Sequence, residues 1–508
     1  MAMKTQRMVA IAAGAASVLA LVGCAPGTSQ NEGEAEDELR IALTSDITTL
    51  HPWMTRSIKD LNVLSQVYSA LVVRDSSMKL VPGVAESWEQ SSPTSWRFTL
   101  RDDVTFPNGE ALDAAVVKWN IDQILDEATE ARVRSSFAGV TEAVVVDDYV
   151  VEIVTAEPDT TVPAGLTTFF LLEPKWTETH DPSAETYGTG PYKLASWNKQ
   201  SSIKLERRAD DPWNPEPFFE NVEFQIIPEQ SSQIASLQTG GVDIITEYGP
   251  DQISTLSNIE GLEVGARSTT RSAFLYLDAT TEPMNDTRVR QAVNYAIDKE
   301  AIVEGLFGGL TEVSAGQIMT PEYVGFNDKL EPYAYDPDKA RELLDEAGYG
   351  DGLTVTFRYP SGTYLLAEDV VQVIAAQLAE VGIVAEVAAM SGAEYIDMNY
   401  ARTELPDVGY LTYAWWTLDG ADIMENFMGG GAQQFWYNDE FDSILAQALV
   451  AVDEAERARL TAEAAAIMRD DAGFVFLFPQ PLTYAYDADL NWEPRSDDWI
   501  RASDITSG

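Results

Sequence analysis

The stretch from Leu353 to Met390 constrains the fold more than any other part of the chain: a strand pattern, "LTVTFRY", a helix pattern, "AEDVVQVIAAQLAEVG", and a second strand pattern, "IVAEVAAM". Two such strands joined through a helix pair in parallel, with a right-handed crossover. A further helix, "AEYIDMNYAR", leads to the strand pattern "DVGYLTYAWW", which joins the same sheet. Upstream, "NDTRVRQAVNYAIDKEAIVEGLFGG" opens on capping residues Asn285 and Asp286 and places Val289, Ala292, Val293, Ala296 and Ile297 on one helical face. "YDPDKARELLDEAGYG" is a compact helix with Asp336 as cap, Pro337 in the first turn and Gly348 as the stop. This half reads as α/β, and ligands of open α/β sheets gather outside the carboxyl ends of the strands. Trp415, Trp416 and Asp419 lie at such an end.

The first half reads differently. "LRIALTS" is a strand, and "SIKDLNVLSQVYSALVV" a helix with Leu61, Leu64, Val67, Tyr68 and Leu71 at helical spacing. "SWRFTL" alternates, Pro107-Asn108-Gly109 makes a turn, a helix starts near Asp113, and "AVVVDDYVVEIVTAE" forms a hairpin at Asp147-Asp148. These strands need not be parallel. At 508 residues the chain exceeds one typical core, so the two patterns favour separate lobes.

The formal charge of -49 repels phosphate backbones and anionic membrane surfaces, which argues against nucleic acid as a partner. The single cysteine, Cys24, allows no disulfide framework within one chain. It ends an N-terminal run with a basic start (Lys4, Arg7) and an apolar stretch from Met8 to Val22, short for a spanning helix and ordered like a secretory signal. Leu21-Val22-Gly23-Cys24 resembles the lipobox of bacterial lipoproteins. That resemblance implies a signal over residues 1–23, lipidation at Cys24 and a membrane-anchored, extracytoplasmic protein. The polar tract over 24–38 reads as a flexible tether.

Seven further motifs occur in one order: "TTLHPW", "LVPGVAESWEQSSPTSWRFTLRDDVTFPNGEALDAAVV", "GTGPYKLASW" followed by "RRADDPWNP", "LQTGGVDI", "RVRQAVNYAIDKEAIV", "DPDKARELLDEAGY" and "AQLAEVGIVAEV". In these the chain resembles the peptide-type (family 5) extracellular solute-binding proteins of ABC importers, from Leu39 onward. The resemblance implies a two-lobed α/β periplasmic-binding fold (type II, with an extra subdomain in lobe I). Lobe I would span 39–270 with 482–508 and lobe II 275–480, joined by crossings at "RSAFLYLD" and "FPQPLTYAYD". It also implies hinge closure over a ligand cleft, a monomer, a permease as partner and no catalytic role.

For the cleft the resemblance implies Trp416 as a pocket tryptophan and Asp419 as the carboxylate holding a peptide's terminal ammonium. Trp415, Tyr413 and Tyr276 are further aromatic candidates, and Arg271 and Arg402 candidates for a ligand carboxylate. Two alternatives stay open: the same fold binding oligosaccharides through stacked tryptophans, and a secreted hydrolase using paired carboxylates. No cofactor or metal is expected, because the chain has two histidines, no His-x-x-x-His pair and no phosphate loop.

Overall fold

The computed structural model describes residues 38–209, 213–214 and 216–508; the leader, Cys24 and the tether lie outside the described residues. Among the described residues no helix is long and apolar enough to cross a membrane.

The parallel unit forms as its pattern requires. Leu353–Pro360 pairs in parallel with Ile383–Met390 through the helix Ala367–Glu380, and Val408–Tyr413 adds in parallel on the other side. The two cassettes before it are set by their caps. The Asp286 carboxylate accepts the Arg288 amide ahead of the helix Thr287–Ala296, and the Asp336 carboxylate accepts the Lys339 amide ahead of Pro337–Ala347. Each cap contributes about 1 kcal/mol. Gly348 ends the second helix at φ +91°, a conformation that costs glycine nothing.

These three strands form one end of a ten-stranded sheet. At the other end Glu38–Leu43 lies between Ile244–Thr246 and Asn221–Ile226, parallel to both, and the hairpin Tyr192–Asn198 with Ser202–Arg207 extends the edge. Two long antiparallel strands, Leu262–Leu277 and Phe474–Asp487, run side by side between the two ends. The hydrophobic core divides on either side of them. Leu39, Phe98, Ile121, Phe224 and Ile505 belong to one cluster, and Val293, Phe357, Ile374 and Leu477 to another. A third cluster, around Phe274, Phe427, Trp436 and Met468, packs beside the second. The architecture is therefore a two-lobed α/β fold. A separate four-stranded antiparallel sheet built on Ala85–Ser92, Ser95–Leu100, Val140–Asp147 and Val150–Thr155 forms the extra subdomain of the first lobe.

The crossing strands lose register at one place. Ser268 pairs with Pro481 and Ser272 with Pro479, so three residues, Thr269, Thr270 and Arg271, oppose Gln480 alone. Neither proline can donate to the ladder, and a bulge of this kind re-aims the side chains it carries. Local bonds fix it: Thr269 Oγ1 donates to the Gln480 carbonyl at 2.8 Å, and the Thr270 amide to the Ser496 carbonyl at 2.8 Å.

Candidate functional site

Between the lobes lies a cavity whose walls come from widely separated segments of the chain. The bulge supplies Thr270 and Arg271, and the turn after Val408–Tyr413 supplies Ala414 to Trp416. The first lobe supplies Arg56, Arg74 and Phe170, with Trp213 and Asn214 beside them, and the C-terminal tail closes the site with Arg495 to Arg501.

The tail is held by amide side chains acting as surrogate backbone. On the helix Ile58–Val67, Asn62 Oδ1 accepts the Ile500 amide at 2.9 Å; Gln66 accepts the Ala502 amide at 3.1 Å and donates to the Ile500 carbonyl at 2.9 Å. Docked this way, the tail presents two consecutive aspartates in different states. Asp497 is engaged by Arg495 through two bonds of 2.9 and 2.6 Å, and accepts the Trp499 amide. Asp498, at φ +64°, lines the cavity, and its carboxylate makes no hydrogen bond among the described residues. Burial pushes its acid up to about 7, against the pull of the Arg271 charge and with the repulsion of Glu247 and Asp497.

The two adjacent tryptophans do not continue the strand. It ends at Tyr413, three residues earlier than the alternating pattern suggests, because the chain turns back, with the Leu418 amide bonded to the Trp415 carbonyl and Leu418 at φ +51°. Freed from strand alternation, the rings stack: Tyr413 on Trp415 with centroids 5.9 Å apart, and Trp415 on Trp416 at 4.4 Å. The Arg56 guanidinium covers Trp416 at 4.3 Å. Trp415 is pinned by its indole N–H, which donates to Asp422 at 2.7 Å, and Thr417 Oγ1 donates to the same oxygen at 2.6 Å. Burial raises the Asp422 acid to about 7. The Tyr323 hydroxyl ties this turn to the bulge, accepting the Trp415 amide at 2.8 Å and donating to the Thr270 carbonyl at 3.2 Å.

The lobes meet across the cavity mouth. Arg74, on the strand Val72–Arg74 of the first lobe, donates to the Trp416 carbonyl at 3.0 Å and the Thr417 carbonyl at 2.6 Å. Met78, at the tip of the same hairpin, is buried in the aromatic cluster of the second lobe. The molecule is thus in a closed arrangement.

Of the residues singled out in the sequence, the structure brings Arg271, Trp415 and Trp416 to the cavity, with Tyr413 stacked behind them. Three others are elsewhere. Asp419 is buried, caps the helix Gly420–Glu425 through the Ala421 and Asp422 amides, and forms a two-pronged ion pair with buried Arg457 at 2.7 and 2.8 Å. Both of its oxygens are engaged, and the residue is not part of the cavity lining. Tyr276 is a core residue, stacked on Phe435 at 3.8 Å with its hydroxyl donated to Asn399. Arg402 ties a surface loop together through Gln434 and the Gly431 carbonyl. The glycines of "GTGPY" serve packing: a side chain at Gly188 or Gly190 would strike the Val67 carbonyl, at 2.1 and 2.7 Å.

Sequence reasoning missed Arg56, Arg74, Asp498 and Arg501. The one available signal was the unusual density of charge and tryptophan in "WEPRSDDWIR" at the tail.

Among curated relatives, the glutathione-binding protein GsiB of Escherichia coli (strain K12) is 27% identical over 494 residues, covering 93% of this chain and 95% of the relative. The solved structure of DppA from Helicobacter pylori in complex with peptide STSA superimposes with a TM-score of 0.79 at 20% identity, covering 92% of this chain and 98% of the other. NikA from Brucella suis in complex with Fe(III)-EDTA superimposes at 0.83 with 22% identity, covering 93% and 100%. The family described as Bacterial extracellular solute-binding proteins, family 5 Middle, matches residues 79–435. With that match spanning most of the chain, and a closed cleft between two lobes, the protein belongs to the family 5 extracellular solute-binding proteins of ABC importers, which bind solutes and are not enzymes.

Proposed function

We propose that the protein captures di- or oligopeptides outside the membrane and delivers them to an ABC permease. One observation carries the reading: Asp498 and Arg271 face the same cavity with opposite charges, and neither side chain has a hydrogen-bond partner among the described residues. A peptide brings a complement for each, with its ammonium at Asp498 and a carboxylate at Arg271, both as charge-assisted hydrogen bonds in a closed site. Trp499, Trp213 and Phe170 offer apolar area that tolerates varied side chains. A relative named for glutathione and a neighbour solved with the peptide STSA support the same class.

The oligosaccharide reading fares worse for a geometric reason. Trp416 is covered by Trp415 at 4.4 Å and by Arg56 at 4.3 Å, and two groups at such distances cannot share one ring face. No open indole face is left there for a sugar ring. Calorimetry with di- to pentapeptides beside cello- and xylo-oligosaccharides tests this. Peptide heat without sugar heat is expected; micromolar sugar binding without peptide heat overturns the reading.

In this reading the bulge is the pivot of closure. The lobes, 39–270 with 482–508 and 275–480, move as bodies about residues 269–271 and 479–481, in a monomer. Cys24 carries the lipid that keeps this monomer at the membrane. A Cys24→Ser chain recovered in the soluble fraction supports that assignment, and continued membrane retention contradicts it.

A further inference from the structure

The charge of the cavity is opposite to that of the chain. Against a formal charge of -49, five arginines line the cavity: Arg56, Arg74, Arg271, Arg495 and Arg501. The charged groups that face them are Asp497 and Asp498, so the described lining carries 5 − 2 = +3. Arg495 has carboxylates in ion-pair range, Asp497 and, more distantly, Asp504; among the described residues the other four arginines have none. Three of them, Arg56, Arg74 and Arg501, are held by neutral groups instead. Arg56 donates to Ser135 and Ser136, and Arg74 to three backbone carbonyls, while the Arg74 carbonyl itself accepts from Arg495 and Arg501.

This arrangement leaves positive charge only partly compensated in a desolvated place: Arg74 feels Asp497 and Asp75, and Arg501 feels Asp504 and Asp497, without an ion pair to either arginine. Nε of Arg56, Nε of Arg74 and Nη1 of Arg495 are buried with no hydrogen-bond partner among the described residues, and the Arg495 side chain is 4% exposed. Burial draws the Arg74 guanidinium down to about 10 and also lowers Arg56 and Arg501. A buried cation without a counter-charge is costly, and a ligand that supplies the counter-charge recovers that cost on binding. One or two carboxylates would leave the lining positive; three would neutralise it.

We infer that this cleft selects ligands of net negative charge carrying two or more carboxylates, which within the peptide reading means peptides with acidic side chains. The inference rests on that reading for the peptide framework, and its charge preference can be tested apart from it. Lobe closure adds to the selection: a basic side chain would be enclosed among guanidiniums, and like charges brought together in a closed cleft weaken binding.

The test is calorimetry on the full-length mature protein with three matched peptides, Ala-Glu-Glu, Ala-Gln-Gln and Ala-Lys-Lys, at fixed ionic strength. The expected result is binding of Ala-Glu-Glu at least tenfold tighter than Ala-Gln-Gln, with Ala-Lys-Lys weakest. In Arg56→Gln, which removes a lining charge not assigned to the carboxylate that all peptides share, the acidic-over-neutral ratio should shrink several-fold. If that variant fails to fold, the wild-type series decides alone. Equal affinity for the acidic and neutral peptides, or tighter binding of the neutral one, overturns the inference and leaves peptide capture standing. If no peptide binds, peptide capture fails, and citrate against its neutral triamide decides the charge preference: citrate binding supports it, and its absence overturns it.

Discussion

Asp419 and Asp498 are two aspartates near one cleft with opposite fates. Asp419 follows the tryptophan pair, exactly the setting in which the family pattern points to ligand binding, yet its oxygens are divided between Arg457 and two helix-start amides. Asp498 lies in the tail, far from any such motif, and its carboxylate is unengaged where Arg271 reaches the same cavity. Saturation separates them. A carboxylate already held by a guanidinium and a helix N-terminus serves the structure; one that is desolvated and unpaired is free to meet a ligand.

The comparison breaks if the two sites respond alike to substitution. The largest effect is expected at the buried pair: Asp419→Ala leaves Arg457 uncompensated and uncaps a helix, lowering unfolding free energy by about 3–5 kcal/mol in denaturant titration. A loss below about 1 kcal/mol would show that the pair is not what holds the turn. Next, Asp498→Asn should raise the denaturation midpoint at neutral pH, because it removes an acid whose ionisation burial disfavours. It should weaken a free-amine peptide by about 1.5–3 kcal/mol while sparing its N-acetylated form. Equal losses for both ligands would remove Asp498 from the ammonium site.

A smaller effect sharpens the same contrast through pH. Burial raises the Asp498 acid to about 7, and a ligand ammonium prefers the ionised form. Affinity for a free-amine peptide should therefore be greatest at about pH 7–8, fall by up to about tenfold per unit below that window as Asp498 is protonated, and fall above it as the amine loses its proton. The N-acetylated peptide should show no such slope, and matching slopes would point to another group. The smallest change concerns the turn itself. Thr417→Val removes one of two hydrogen bonds to Asp422 and should cost about 1 kcal/mol of stability, with a weaker hold on Trp415.

The fold was legible because its signals are local. The helix at Pro337–Ala347 starts and stops where Asp336 and Gly348 say it must, and the parallel pairing of Leu353–Pro360 with Ile383–Met390 follows from the helix between them. The site was legible only in part. Arg271 could be suspected at a crossing, and the tryptophan pair at a strand end, since both are positions that the topology fixes. Asp498 could not be placed, because the tail reaches the cavity only through Asn62 and Gln66, more than 400 residues away in the chain. Nor could the loss of Asp419 be foreseen, since its partner Arg457 lies 38 residues on, within the helix Glu454–Asp470, where nothing in the pattern marks it as buried.

The most direct test of the account is a crystal structure of the protein with a bound free-amine acidic peptide. The account predicts the peptide enclosed between the lobes, its ammonium within hydrogen-bond distance of Asp498 and a carboxylate on Arg271, with the Asp419–Arg457 pair intact. A peptide whose ammonium displaces Arg457 from Asp419, or one bound outside the cleft, would contradict it.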